Sequence, residues 1–359
     1  MAKALALLLE TLIQIIMNKI YNLFDEKFVR ALLEKKILPK YPNFSGIKQI
    51  NISAAKKQIW ETTYHVVIKY ETIFITKEPK GKIINLYCTA HSDESRLNSY
   101  EGSLFLWQNN FSQSDLTIPR PLYYSADFNG FFYEGVIGEN LYQFIRRKDF
   151  QKIETIIPKT AAWFAKLHQL PTDGTRNFNP ENSRVATIIP GMSNALKKVQ
   201  AFYPRYYEAC RQIYKIIDSQ EKDFFNRTKE HWLIHGDAHP ENIIDTGPDS
   251  LAVIDFTDLC LADLARDLGT FLQQLDFMMT RKIGDSIYIK NIKQLFLTTY
   301  LNITKKNLDQ NLQTRIDNYR DWTALRTAIF FLLKDNAEPE RAHGLLIKIS
   351  QDLKLDIII

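Results

Sequence analysis

Cysteine is scarce in this chain: Cys88, Cys210 and Cys260 are the three among 359 residues, and no two stand at a paired spacing. That excludes a disulfide framework and a thiolate zinc site, and makes a reducing compartment, the cytoplasm, the default expectation. Blocks of like charge are also missing. The 46 Lys and Arg are scattered among 41 Asp and Glu, for a net charge of +5, so the footprint of a nucleic-acid binder is not indicated. There is no internal repeat and no low-complexity segment. Long apolar runs are lacking too: the first 24 residues open with Lys3 before an apolar stretch, but Glu10 and Gln14 interrupt it and no small-x-small cleavage site follows. Leu9, Leu12, Ile13, Ile16, Ile20 and Leu23 instead recur at helical spacing and predict an amphipathic helix packed on the protein, in preference to a membrane-surface anchor. Met17 is an alternative start.

What is present is the composition of an ordinary globular protein. With 45% hydrophobic and 24% charged residues, the length suggests two domains or lobes on a prior of about 150 residues each. From about 47 to 89, the stretches IKQINIS, TTYHVVIKYETIFIT and KIINLYCT are rich in β-branched and aromatic residues around a Pro-Lys-Gly turn at 79–81, and predict an antiparallel sheet. Helical periodicity follows at 95–110, and then two strand-like pieces, RPLYYSA and GFFYEGVIG. After Gly138 helical patterns dominate, broken by a polar stretch at 172–190 and a short β segment at 231–256. The expected organisation is a helical segment at 1–44, a β-rich lobe at 45–134 and a larger helical lobe at 135–359 with an insertion at about 172–230.

The β segment carries HGDAHPEN at 235–242 and, thirteen residues beyond Asn242, Asp255 at the end of the apolar strand LAVIDF. Isolated, HGDAH would be a strand end with a core histidine. Between two apolar strands it reproduces a kinase frame. Protein-kinase catalytic loops place an Asp that takes the acceptor hydroxyl's proton before a magnesium-binding Asn with four residues between them, and a further strand-end Asp supplies the second ligand. The intervening NIIDTGPDS allows Asn-Ile-Ile and Leu-Ala-Val-Ile to pair as a hairpin, which would bring Asn242 and Asp255 to one end. A hard magnesium ion needs such oxygen donors.

HGDAHPEN followed by IDFTD resembles the signature of the aminoglycoside phosphotransferase and choline kinase family. The resemblance extends through AAWFAKLHQLP and LADLARDLG and covers about residues 45–350. It implies an α+β, bilobal protein-kinase-like fold and transfer of the ATP γ-phosphoryl group to a hydroxyl of a small molecule. It also implies Asp237 as catalytic base or hydroxyl-orienting carboxylate, and Asn242 and Asp255 as Mg2+ ligands. His239 would brace the loop, and Asp258, Asp267 and His168 would serve the structure. On the nucleotide side, Glu101 fits the helix glutamate, while the Glu134 carbonyl and Val136 amide would meet the adenine. Thr89 stands where the third-strand lysine of kinases aligns and no glycine-rich loop is visible, which leaves three explanations open: Lys69 or Lys82 reaches the phosphates from a neighbouring site, the alignment is shifted, or nucleotide affinity is weak.

Two other classes remain open. His235, Asp237 and His239 alternate as H-x-D-x-H, the pattern of a metal-dependent hydrolase. Thr89 motivates a nucleotide-binding pseudokinase or scaffold. The acceptor is not specified: Tyr203, Arg205, Tyr206 and Tyr207 of the insertion either line its pocket or pack the helices. No membrane span and no nucleic-acid partner are expected.

Overall fold

The computed structural model describes residues 18–112 and 114–356. The chain divides into two compact units, one comprising the residues up to 113 together with Ile118–Ile137, the other Ser114–Thr117 together with Gly138–Ile359.

In the first unit β1 (Gly46–Ile59), β2 (Tyr64–Ile75) and β3 (Lys82–His91) form an antiparallel meander. After β4 (Leu116–Thr117), which belongs to the second unit, β5 (Arg120–Ser125) and β6 (Gly130–Glu134) complete a sheet of order β1-β2-β3-β6-β5. The alternation of the sequence decides its faces. Tyr64, Val66, Ile68, Tyr70, Thr72 and Phe74 of β2 and Ile84, Leu86, Cys88 and Ala90 of β3 are buried. His65, Val67, Lys69, Asn85, Tyr87, Thr89 and His91 line the other, half-buried face.

The buried face is covered by the helix Glu26–Lys36, whose Val29 and Leu33 enter the same core as Ile20, Leu23 and Ile37. Asp25 caps that helix by accepting from the Phe28 amide at 2.7 Å, a satisfied N-terminus. Of the amphipathic helix expected at the N-terminus, Leu9, Leu12, Ile13 and Ile16 lie outside the described residues. Ile20 and Leu23 sit in a 3-10 turn, Lys19–Phe24, not in an α-helix. Over its described part, the helical segment expected at 1–44 shares the core of the sheet.

The second unit is built on helices Phe150–His168, Ala265–Lys282, Ser286–Thr304 and Gln310–Leu333. Phe150–His168 begins earlier than the AAWFAKLH pattern suggests and carries Pro158 in its interior. Ala265–Lys282 packs on Gln310–Leu333 so closely that a Cβ on Gly269 would meet the Ile316 carbonyl at 2.5 Å. β7 (Glu139–Asn140), β8 (Trp232–Ile234), β9 (Ile243–Asp245), β10 (Leu251–Val253) and β11 (Cys260–Ala262) form two small sheets, β4-β10-β9-β7 and β11-β8. Among the described residues no helix is long and apolar enough to cross a membrane.

Candidate active site

The loop after β8 is held by one buried carboxylate. Asp267, at the start of the helix Ala265–Lys282, accepts from the His235 amide at 2.7 Å and the Gly236 amide at 2.9 Å. His168 Nε2 donates to the same carboxylate at 3.1 Å, while His168 Nδ1 accepts from the Tyr300 hydroxyl at 2.9 Å. Burial works against the charge on Asp267, but His168, His235 and the Gly236 amide hold its pKa below the usual carboxylate range. Asp267 and His168 thus position the loop from beneath.

Gly236 has φ +84°, and a Cβ there would meet the Asp258 carbonyl at 2.3 Å. Only glycine fits. The reversal turns Asp237 outward, with its side chain about half exposed (48%). His235 stays inside, fully buried: Nδ1 accepts from the Asp237 amide at 3.2 Å and Nε2 donates to the Ile254 carbonyl at 2.9 Å. Both imidazole nitrogens are committed, so the H-x-D-x-H residues do not assemble into a zinc site. Nor do His235 to His239 continue a strand, because β8 ends at Ile234.

His239 Nδ1 accepts from the Glu241 amide at 3.3 Å, which leaves the ring proton on Nε2, 3.4 Å from Asp237 Oδ2. Burial pushes the Asp237 carboxyl up, but the hydrogen bond from His239 and the electrostatic influence of the His239 and His235 rings and the Arg326 guanidinium outweigh it and hold the pKa at about 2. At neutral pH it is an anion.

β9 and β10 pair antiparallel, with Leu251 opposite Asp245 and Val253 opposite Ile243. One step further the Ile254 amide donates to the Asn242 carbonyl at 3.0 Å. Asn242 Nδ2 donates to the Asp237 carbonyl at 3.1 Å, so its Oδ1 is the atom turned away. Asp255 follows with φ +67°, an uncommon left-handed backbone for a non-glycine residue, costing of order 1–3 kcal/mol. Its Oδ1 accepts from the Thr257 hydroxyl at 2.8 Å. Burial, Asp237 and Asp255 together push the neighbouring Asp258 carboxyl up to about 6. A carboxylate oxygen and an amide oxygen from adjoining chain ends, in surroundings crowded with negative charge, fit a hard divalent cation.

The second unit therefore gathers Asp237, Asn242 and Asp255. Glu101, on the helix Leu97–Leu106, and Glu134 and Val136, at and after the end of β6, belong to the first unit. The Glu134 carboxylate accepts from the Tyr41 hydroxyl at 2.7 Å and lies 3.9 Å from Arg120. Thr89 stands between Val67 and Phe131 on the half-buried face of the sheet. Lys69, opposite Tyr87, shares that face, whereas Lys82 begins β3 on the opposite one. In the insertion, Tyr206 is buried and packs against His343.

Sequence reasoning missed the polar brace of the loop. Asn177 Oδ1 accepts from the Leu261 amide at 3.0 Å, Asn179 donates to the Thr257 carbonyl at 3.0 Å, and Asn182 donates to the Asp258 carbonyl at 2.8 Å. The buried Arg266 donates to the Asn182 carbonyl and, at 3.4 Å, to the Gly236 carbonyl. The only signal in the chain is the asparagine-rich NFNPEN at 177–182, which reads as turn chemistry.

An antiparallel sheet unit, a helical unit, and a histidine-glycine-aspartate loop beside a strand-end aspartate define a phosphotransferase of protein-kinase-like fold. The model of the phosphotransferase enzyme family matches residues 92–300, more than half of the chain. The chain belongs to that family. Among solved structures it is similar to an amicoumacin kinase in complex with AMP-PNP, Ca2+ and its ligand (15% identity, 92% of this chain and 96% of that one, TM-score 0.54). It is also similar to a choline kinase from Cryptosporidium parvum Iowa II (12%, 92% and 96%, 0.51) and to an aminoglycoside-3'-phosphotransferase of type VIII (15%, 81% and 95%, 0.50). Identities this low speak for the fold. No curated protein sequence matches.

Proposed function

We propose that the protein transfers the γ-phosphoryl group of ATP to a hydroxyl group of a small molecule. The observation that carries this reading is the linkage of three oxygen-bearing residues through backbone bonds. Asn242 holds the Asp237 carbonyl with its side chain and the Ile254 amide with its own carbonyl, one residue before Asp255. Phosphoryl transfer asks little covalent chemistry of the protein; positioning and electrostatic stabilisation dominate. Asp237, ionised and turned outward, would orient the acceptor hydroxyl and receive its proton. His239, donating to Asp237, would fix the direction of that carboxylate. The strained Asp255 and the Asn242 amide oxygen would hold Mg2+, which when bound offsets the charge of the phosphoryl oxygens. Glu134 and Val136 would meet the adenine, and Glu101 would act as the helix glutamate of the nucleotide site.

The test is Asp237→Asn. Transfer from labelled ATP to a panel of hydroxylated amines, sugars and antibiotics is expected to fall by about 10³-fold, within the range for a positioned base. Affinity for AMP-PNP is expected to stay within about twofold of wild type, since Asp237 acts on the acceptor and makes no contact with the nucleotide in this reading. Turnover close to wild type sinks the assignment.

Thr89 favours one second reading, a nucleotide-binding scaffold. Nucleotide binding with no transfer to any acceptor of the panel by the wild type is the outcome that selects it.

A further inference from the structure

The half-buried face of the first unit's sheet carries a cluster of nitrogen donors that the chemistry above leaves unused. Lys56 pairs with Val67 across β1 and β2, and Val67 pairs with Thr89 across β2 and β3. The three side chains therefore form one row across the sheet, in which Lys56 lies two strand spacings, about 10 Å, from the position where a kinase lysine is expected. A lysine side chain covers much of that distance. Lys56 Nζ lies 3.0 Å from His65 Nδ1 and 3.4 Å from His65 Nε2, and the His65 and His91 rings touch with centroids 4.7 Å apart. Arg96, just before the helix Leu97–Leu106, completes the group: its side chain is 6% exposed, its Nη1 pairs with Glu94 at 3.3 Å, and its Nε has no partner.

Proton placement makes the cluster one-sided. An ammonium has no lone pair, so Lys56 donates to the nearer nitrogen, Nδ1 of His65, which leaves the proton on Nε2. His91 Nδ1 accepts from the amides of Asp93 and Glu94 at 3.1 and 3.2 Å, which again leaves the proton on Nε2. Lys56 Nζ, the two imidazole Nε2–H groups and Arg96 Nε are all donors. The one carboxylate that pairs with any of them among the described residues is Glu94. Burial, with Lys56, Arg96 and His91 close by, pushes His65 down to about 4, which keeps its ring neutral at physiological pH. A partnerless, nearly buried guanidinium nitrogen is costly without an acceptor, and a cluster in which donors outnumber acceptors and one carboxylate pairs suits a polyanion.

We infer that Lys56, His65, His91 and Arg96 form an anion site that holds the phosphoryl oxygens of a nucleotide's polyphosphate chain, taking over the charge that Thr89 does not supply. This rests on the kinase reading for the identity of the nucleotide; the site itself rests on the first unit alone.

The experiment uses the full chain in magnesium-containing buffer, with calorimetric titration of tripolyphosphate, inorganic phosphate, AMP-PNP and adenosine. Lys56→Gln is a strand-surface change, Arg96→Gln tests the buried donor, and Lys82→Gln, on the opposite face, is the control. Circular dichroism and melting temperature check folding. Lys56→Gln is expected to weaken tripolyphosphate and AMP-PNP by about tenfold or more, the loss of one charge-assisted contact. Adenosine binding and the Lys82→Gln variant are expected to be unchanged. Wild-type affinity for tripolyphosphate and AMP-PNP in both folded variants overturns the inference, as does inorganic phosphate binding as tightly as tripolyphosphate. Anion binding lost in the variants while wild type shows no transfer retains the site and removes the kinase reading. Transfer with a wild-type nucleotide KM in both variants does the reverse.

Discussion

Gly236 shows how much of the loop at 235–242 hangs on one residue. Its left-handed backbone and the 2.3 Å approach of the Asp258 carbonyl to where a Cβ would stand let the chain reverse between a buried histidine and a half-exposed aspartate. Gly236→Ala would therefore push the loop from Asp258 and from the two amide bonds to Asp267. We expect a loss of about 2 kcal/mol or more in urea unfolding at neutral pH, with phosphoryl transfer reduced alongside. Unchanged stability would show that the loop relaxes elsewhere. At this scale the sequence was most legible. Asp237, Asn242 and Asp255 lie within a stretch of about twenty residues, and their types and spacing already specify a donor set. The asparagines at 177, 179 and 182 were not legible, because a polar loop reveals that it turns but not which carbonyls it will meet.

Single helices and hairpins are tied together by a smaller number of charged groups. Lys159, in the helix Phe150–His168, donates to Asp245 at 2.7 Å and to the carbonyls of Gly247, Pro248 and Ser250, and so clamps the β9–β10 turn. Lys152 adds a second bond to Asp245 at 2.9 Å. Burial opposes the charge on Asp245, but the two lysines hold its pKa below the ordinary value. A depressed carboxylate stabilises the fold at pH values above its unfolded pKa of about 3.9 and loses that contribution as pH falls through the folded value. Asp245→Asn is accordingly expected to cost about 2–3 kcal/mol at pH 7, with the difference from wild type shrinking as denaturation is repeated from pH 5 toward pH 2. A difference that grows toward acid would contradict the pairing.

The β9–β10 hairpin was readable from the Thr-Gly-Pro-Asp turn between two apolar runs. β7 and β11, two and three residues long, were not, since so short a strand has no periodicity of its own and exists only through its partner. Pro158 inside a long helix was equally hidden, because the packing of Ile153, Ile156, Ile157 and Ala161 outweighs the one backbone bond that proline removes.

On the scale of the molecule, the first unit's sheet is covered by residues that precede it in the chain. Residues ahead of Pro39 supply Ile20, Leu23, Val29, Leu33 and Ile37 to the core, and Tyr70 donates to the Leu23 carbonyl at 3.0 Å. A variant starting at Pro39 would bare Val66, Ile68, Tyr70 and Leu86, a contiguous apolar face of the kind that drives aggregation. We expect poor soluble yield and strong binding of a hydrophobic dye; a monomeric variant with the wild-type melting temperature would mean that the segment is dispensable.

The sequence by itself determined the local arrangements: the conjunction of His235, Gly236, Asp237, Asn242 and Asp255 between apolar strands, and the alternation that makes a sheet with one apolar face. Local spacing suffices there because neighbouring residues on a short loop or strand cannot be far apart. Only the tertiary structure decided which distant residues hold that loop. It placed Asp267 and His168 beneath the loop and set the asparagine brace above it. It also turned Lys56, and not Lys82, to the face that bears Thr89, because register and strand face follow from which chains pair and not from the order in which they are written.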